Sequence, residues 1–196
     1  MDGNFAVMYK GQRMNKQGKK NPTILGIALL SKLPLEITNL NYYFGSPRTV
    51  QEFVRPSMQE RVNKVLLHSR IRKIDGSIFI VGTTHFTWSP AGMADNNQRR
   101  DLKALLKNLD SIPEIVFCGD FNAPRGREIF TAISQKYKDN IPPTYTTSID
   151  GNLHEAGHLE LMVDGLFSTP KYAVQNVRLV DGVSDHYAII AEITRQ

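Results

Sequence analysis

The stretch IVFCGDFNAP, residues 115–124, decides the fold prediction, because an apolar run ends there in an acid and an amide two positions apart. Residues 115–118 have the composition of a short buried strand. Gly119 is expected to let the backbone turn tightly. Asp120 and Asn122 would then share one face of an extended chain, where they could hold a water molecule and a hard cation. Asp and Asn are also common turn formers, so an ordinary turn is the competing interpretation.

Three further segments place polar residues of catalytic type beside apolar runs, namely TTHF (83–86), VDGL (163–166) and SDH (184–186). Together with GDFN, and in this order, they resemble the endonuclease/exonuclease/phosphatase family, which is deoxyribonuclease I-like. The resemblance extends from about residue 26 to residue 193; the motifs are specific as a set, whereas GDFN or SDH alone is weak. It implies a single domain over residues 1–196 with an α+β fold, a four-layer α/β/β/α sandwich of two mainly antiparallel sheets. Periodicity alone supports only a mixed αβ domain.

The same resemblance implies a divalent-metal-dependent phosphoesterase that hydrolyses phosphodiester or phosphomonoester bonds, nuclease-like in type. Its catalytic residues would be His85, Asp120, Asn122, Asp164 and His186. Asp120 would orient or deprotonate the attacking water, and His186, held by Asp164, would contact a phosphate oxygen or act as general acid or base. His85 would contact the phosphate from the other side. The cofactor would be Mg²⁺ or Mn²⁺, and its ligands would be Asp185, Asp120 and Asn122.

The sequence departs from the family pattern at its start. Family members open with a strand that carries an asparagine and a second strand that ends in a metal-binding Gln-Glu pair, and here the resemblance begins later, so the domain is expected to be N-terminally short. Gln51 and Glu52 follow the GIALLS strand instead of preceding it, and Glu52 is interpreted as a surface residue. An open sheet edge at residues 187–193 would then pair with a partner subunit, a swapped segment or the missing peptide. The alternative function is a weak or inactive family member that binds phosphorylated ligands or a partner chain.

Composition indicates an ordinary globular protein with a basic balance. Of 196 residues 41% are hydrophobic and 22% charged, with a net charge of +5, which favours a polyanionic partner such as nucleic acid. No apolar run is long enough to span a membrane, and no secretory signal is present, so a cytoplasmic location is expected. Much of the basic excess lies in a segment interpreted as a loop, either solvated or in contact with phosphates: Lys10, Arg13, Lys16, Lys19 and Lys20.

The remaining chain reads as alternating strands and helices. Asp75 and Gly76 predict a hairpin turn, and leucines at residues 102–109 predict an amphipathic helix. His154 and His158 resemble a metal pair, but Gly157 interrupts them, so they are interpreted as loop or surface residues. The segment 142–149 is expected to approach the rim of the active site. Strands are predicted at 5–9, 24–31, 62–71, 77–84, 115–118, 161–167, 174–180 and 187–193, and helices at 98–109 and 127–137, with 24–31 as a central strand.

Overall fold

In the computed structural model, the stretch 115–124 supplies the middle strand of a six-stranded sheet. Strand β6 (Val116–Asp120) pairs in parallel with β5 (Ile78–His85) and antiparallel with β8 (Asp164–Ser168). The structure describes residues 1–14, 18–52 and 62–196. The other strands of the sheet pair antiparallel, in the order β3-β4-β5-β6-β8-β7, and they are β3 (Leu35–Phe44), β4 (Lys64–Arg72) and β7 (Lys138–Asp139).

Helices α1 (Asn96–Asp110) and α2 (Glu128–Ser134) cover one face of this sheet. The Asp95 side chain begins α1 by accepting a hydrogen bond of 2.8 Å from the Gln98 N–H. Leu105 and Leu109 are fully buried, and burial of each such side chain contributes about 1.5–3 kcal/mol. The core beneath the helices also contains Phe86, Phe117, Phe121, Ile129, Phe130, Ile133 and Phe167.

Two hairpins cover the opposite face. The first consists of β1 (Asp2–Met14) and β2 (Lys20–Ser31), and the second of β9 (Tyr172–Val180) and β10 (Ala188–Arg195). The first hairpin packs on β4 through a small cluster that includes Met8. The second packs on β5, β6 and β8 through a larger one. Each hairpin buries alternate side chains against the six-stranded sheet, as expected of antiparallel strands with one face exposed to solvent.

The α+β prediction of two packed, mainly antiparallel sheet layers is confirmed; β5 and β6 form the parallel pair. Within residues 1–14, 18–52 and 62–196, the layers are helices, the six-stranded sheet and the two hairpins, so α-helices cover one of the two sheet layers there. The second sheet layer is thus divided into two separate hairpins. In the same part of the chain, β10 is paired on one side only, by β9, which agrees with the expected open edge.

Three sequence predictions about strands were wrong. Residues 24–31 form no central strand, because β2 pairs with β1 in a hairpin and its side chains alternate between exposed and half-buried. Lys10 to Arg13 belong to β1 and not to a loop, while Lys16 lies outside the described residues. β3 was missed because its polar and apolar residues alternate irregularly over LEITNLNYYF.

Most other local predictions were confirmed. Gly76 has a φ of +83° and closes the turn between β4 and β5 by donating to the Lys73 carbonyl. Helix α1 extends slightly beyond its predicted limits, and α2 ends at Ser134, earlier than expected. Glu52 is exposed, as interpreted. Among the described residues, no helix is long and apolar enough to cross a bilayer.

Candidate functional site

Three of the predicted catalytic residues form a row across the end of the six-stranded sheet. His85 is the last residue of β5, Asp120 the last of β6 and Asp164 the first of β8, and pairing sets His85 beside Asp120 and Asp120 beside Asp164. Neighbouring strands lie about 4.8 Å apart, so the row brings the three side chains within reach of one small ligand. The His85 Nε2 lies 3.5 Å from Asp120 Oδ2.

His186 joins this row from the other sheet layer, just before β10. Its Nδ1 donates to Asp164 Oδ2 at 2.6 Å. This hydrogen bond, followed by the charges around it, raises the pKa of His186 to about 9 despite partial burial, so the imidazole is protonated at neutral pH. Burial raises the pKa of Asp164, and the hydrogen bond with His186 opposes that rise. The pairing predicted from the sequence between His186 and Asp164 is therefore present.

The segment 142–149 reaches the site, as expected, and holds the backbone of Asp164 through Ser148. Ser148 is fully buried, and its Oγ accepts hydrogen bonds of 3.1 Å from the N–H groups of Val163 and Asp164. Ile149 forms a bridge with His186, and the Tyr187 N–H donates to the Ser148 carbonyl. One short segment therefore holds both members of the His186 and Asp164 pair.

We expect Ser148→Ala to lower the free energy of unfolding by about 1–3 kcal/mol, because two buried N–H groups lose their acceptor. Chemical denaturation at neutral pH measures this change. The matched control is Ser134→Ala, whose exposed Oγ donates to a helix carbonyl and whose loss should cost no more than about 0.5 kcal/mol. Equal costs for the two variants would show that Ser148 does not support Asp164.

Asn122 reaches the site by a different backbone route from the predicted one. Its φ is +49°, in the left-handed region, so Asp120 and Asn122 do not alternate along an extended chain. The Asn122 N–H instead donates to Asp120 Oδ1 at 2.7 Å, which is the side-chain-to-backbone contact of an Asx turn. The Asn122 Nδ2 donates to the Phe86 carbonyl at 3.0 Å, and its Oδ1 remains available as an acceptor. The two interpretations of this motif, a site residue and a turn former, therefore both apply to Asn122.

Glycine is required at position 119 because the neighbouring strand comes too close for a side chain, and not because the chain turns there. It lies inside β6 with a φ of +156°, and a Cβ placed there would come 1.8 Å from the carbonyl oxygen of Thr84 on β5. Since His85 follows Thr84 and Asp120 follows Gly119, this contact sets the spacing of these two predicted site residues. The expectation that Gly119 turns the chain was therefore wrong.

Lys64 is a member of the site that sequence reasoning missed. Its side chain is buried, and Nζ donates to the Phe86 carbonyl at 3.2 Å, the same oxygen that accepts from Asn122. Burial lowers the pKa of Lys64 to about 8, with Asp120 and Asp101 opposing the decrease. The available signal was a lysine at the start of the apolar run VLL, which is more typical of a solvated strand end.

The surroundings of His85 favour the uncharged form of its imidazole. Loss of water around the ring lowers its pKa, Asp120 opposes this, and Lys64 and then His186 lower it further. Because 47% of the side chain faces solvent, the decrease is smaller than full burial would produce. A neutral His85 and a charged His186 thus flank the carboxylate of Asp120.

A small pocket of about 110 Å³ opens beside this row. Lys64, His85 and Asn122 form its polar end. Its remaining walls are Met8, Tyr9, Val62 and Trp88. The first hairpin therefore contributes to the site through residues of β1.

The described residues contain two groups whose donor atoms lie within 4.8 Å of one another and could hold a cation. One consists of Asp120, Asp164 and His186, and the other of His154, Asp185 and His186. The carboxylate oxygens suit Mg²⁺ or Mn²⁺, so the residues fit the predicted cation. The predicted ligands Asp120 and Asp185 fall into different groups joined by His186, so they do not form one cluster with Asn122.

His154 lies in a loop, as interpreted, but near the site. Its ring centroid is 6.0 Å from that of His186, and its Nδ1 accepts from the Ala156 N–H. The loop is brought there because the Asp150 N–H donates to the Asp185 carbonyl at 3.0 Å. No local pattern could have placed His154 beside His186, since the contact depends on this closure between distant segments. His158 instead packs against Gly151.

Comparison with known proteins gives matches at the level of structure. No family model and no curated protein matches the sequence. An endonuclease/exonuclease/phosphatase from Bacteroides vulgatus has a TM-score of 0.65 at 16% identity, covering 99% of this chain and 77% of that one. A mannosyl-6-phosphatase from Bacteroides thetaiotaomicron has a TM-score of 0.61 at 12% identity, over 98% of this chain and 77% of the other.

The human Nocturnin catalytic domain, in a structure with a bound sulfate anion, matches with a TM-score of 0.62 and 17% identity, covering 100% of this chain and 72% of that domain. The TM-scores show that these proteins and this chain share a fold, and identities this low show no more than the fold. The resemblance expected from the motif order is therefore confirmed as the fold of endonuclease/exonuclease/phosphatase proteins, and this chain spans about three quarters of the length of these relatives.

Proposed function

We propose that the protein is a divalent-metal-dependent hydrolase of phosphate esters, with Mg²⁺ or Mn²⁺ as its cation. The observation that supports this most is the row His85, Asp120 and Asp164 completed by His186, which brings together two carboxyl groups, a neutral imidazole and a charged imidazole. Hydrolysis of a phosphate ester needs groups of these kinds, to activate water and to stabilise developing negative charge.

Each side chain has a role that its environment permits. Asp120, hydrogen bonded to the Asn122 N–H, accepts a proton from the attacking water or orients it. His186, protonated and held by Asp164, donates to a phosphate oxygen or to the leaving group, and neutral His85 contacts the phosphate from the opposite side. The second N–H of Asn122 Nδ2 donates to the phosphate without adding charge. A cation held by the carboxylates would neutralise the phosphate oxygens.

The net charge of +5 supports an anionic substrate, and the fold neighbours include a mannosyl-6-phosphatase. Both phosphomonoesters and phosphodiesters are consistent with the site as described. The rival function is binding of phosphorylated ligands without hydrolysis, and it is favoured by one observation: Asp120 and Asp185 do not belong to one ligand cluster.

Metal titration separates the two functions. Protein freed of metal with EDTA should be inactive towards bis(p-nitrophenyl) phosphate and p-nitrophenyl phosphate, and Mg²⁺ or Mn²⁺ should raise the rate of one of them at least about 100-fold, because a cation at the phosphate removes several kcal/mol from the barrier. An Asp120→Ala protein purified in the same way controls for contaminating enzymes. Metal-independent binding of phosphate with no hydrolysis of either ester would support the rival function.

A further inference from the structure

Trp88 is exposed beside the reaction centre although its neighbours are rigidly held. It is the single tryptophan of the chain, its side chain is 45% exposed, and it forms a wall of the pocket that His85 and Asn122 also line. An aromatic ring that stays exposed at a pocket has a face on which a flat ligand can stack.

The exposure of Trp88 does not come from a loose loop. Thr87 on one side and Ser89 on the other are buried. The Thr87 Oγ1 donates to Asp101 at 2.5 Å, and its carbonyl accepts from Gln98 Nε2 at 2.7 Å. The Ser89 carbonyl accepts from the Gly92 N–H. With both flanking residues fixed in the interior, the backbone of Trp88 is held in place beside the pocket, which lowers the entropy cost of binding a ring against the indole.

The same pocket is also lined by a buried hydrogen-bond donor, Lys64. Lys64 is 3% exposed, and within the part of the chain that the structure describes its Nζ makes one hydrogen bond, to the Phe86 carbonyl. An ammonium group carries three N–H donors, so the bond to Phe86 leaves two of them for a ligand. Acceptor atoms on a ligand that fills the pocket would gain a charge-assisted hydrogen bond there.

Trp88 and Lys64 together select among ligand classes. An acyl chain would cover Trp88 but would offer the Lys64 ammonium no acceptor beyond the Phe86 carbonyl. A second phosphate would satisfy Lys64 but would lie against Met8, Val62 and Trp88, which are apolar or aromatic walls. A flat ring with acceptor atoms on its edge can both stack on Trp88 and accept from Lys64. The volume of about 110 Å³ is below the roughly 300 Å³ at which drug-sized pockets begin, so it suits one ring system.

We propose that this pocket binds the base of a nucleoside phosphate substrate, with the base stacked on Trp88 and its edge acceptors directed at Lys64. The proposal rests on the phosphoesterase function proposed above and assigns its substrate class. Because His85 and Asn122 line both the pocket and the reaction centre, the base bound there would belong to the nucleotide whose phosphate is attacked. The net charge of +5 agrees with a nucleotide or nucleic acid substrate.

Binding measurements test the proposal without requiring turnover. AMP, ribose 5-phosphate and inorganic phosphate would be titrated into the wild-type protein in EDTA, and into an Asp120→Asn protein with Mg²⁺, while the fluorescence of the single tryptophan and the heat of binding are followed. We expect AMP to quench the fluorescence of Trp88, and ribose 5-phosphate and phosphate to leave it nearly unchanged, since only the base stacks on the indole.

Substitution of Trp88 measures how much the indole contributes to AMP affinity. Trp88→Ala should weaken AMP binding, measured by calorimetry, about 5- to 150-fold, the effect of removing one base–aromatic stack, and should leave ribose 5-phosphate binding unchanged within about twofold. Trp88→Phe should restore part of the affinity because it keeps a ring. Met93→Ala, an exposed apolar residue of the same loop that does not line the pocket, is the matched control and should change neither ligand.

Three results would overturn the assignment. Equal binding of AMP and ribose 5-phosphate in both conditions, or no quenching by AMP in either, would show that the pocket does not bind a base. Equal weakening of both ligands by Trp88→Ala would assign the pocket to the sugar phosphate instead. Base-dependent quenching in a protein that hydrolyses no ester would support the subsite and refute the phosphoesterase function, so the two failures are distinguishable.

Discussion

Asp120→Ala is expected to lower kcat for phosphate-ester hydrolysis about 10³- to 10⁴-fold, because the proposed acceptor of the water proton is removed and a positioned acid or base contributes about 10²- to 10⁴-fold. The effect should lie in the upper part of that range, since the same carboxylate is also a candidate cation ligand and lies beside His85. The measurement is kcat at saturating Mg²⁺ with the better of the two p-nitrophenyl esters.

The controls for this experiment concern folding and charge. Asp75→Ala removes an equally charged side chain from the exposed turn between β4 and β5 and should leave kcat unchanged. The Asp120→Ala protein should unfold cooperatively, because the one backbone hydrogen bond it loses, from the Asn122 N–H, is worth about 1 kcal/mol. A residual rate above about one tenth of wild type would refute the role of Asp120, and His186→Ala applies the same criterion to the imidazole.

Gly119→Ala is expected to destabilise the fold by about 3 kcal/mol or more. A Cβ at this position meets the Thr84 carbonyl oxygen at 1.8 Å, so the parallel pairing of β5 and β6 must open, and the φ of +156° adds backbone strain. Overpacking and backbone strain each cost about 1–3 kcal/mol. The free energy of unfolding in urea measures the change.

Gly126→Ala is the matched control. Gly126 also has a positive φ, +83°, but no atom lies within 4 Å of the Cβ that would be added. Its substitution therefore reports backbone strain alone, about 1 kcal/mol. If the two variants lose similar stability, the contact with Thr84 is not what requires glycine in β6.

The sequence could predict the four residues that the chain delivers at strand ends. His85, Asp120 and Asp164 each mark the point where an apolar run becomes polar, and His186 precedes the last strand in the same way. The resemblance carried by the order of the motifs implied that these residues meet at one edge, whereas the periodicity predicted only the strands that carry them. Hydrophobic periodicity carries this information because it is local.

The backbone conformation of Asn122 could not be predicted from hydrophobic periodicity because two local preferences competed. An apolar strand favours continued extension, whereas Asp followed by Asn favours an Asx turn, and the turn prevails once β6 ends at Asp120. The turn still directs the amide to the Phe86 carbonyl, so Asn122 lies beside Asp120 as predicted, but its predicted backbone conformation was wrong.

Lys64 and His154 could not be predicted because their positions depend on contacts between distant segments. Lys64 is buried at the start of β4, and the pocket it lines is completed by residues of β1. His154 reaches His186 through the hydrogen bond between Asp150 and Asp185. β2 was misplaced for a related reason, since a strand with one apolar face fits either sheet layer equally well.

The three residues of the candidate site that lie at strand ends and the fourth residue, His186, belong to different layers of the sandwich. His85, Asp120 and Asp164 lie on the six-stranded sheet, whereas His186 is carried by the β9–β10 hairpin, which is held to that sheet by side chains such as Val177, Leu179 and Ile189. A sub-global opening that lifts this hairpin would separate the imidazole from its carboxylate while the larger sheet stays folded. The arrangement of these four side chains would then be lost on heating before the secondary structure of the larger sheet.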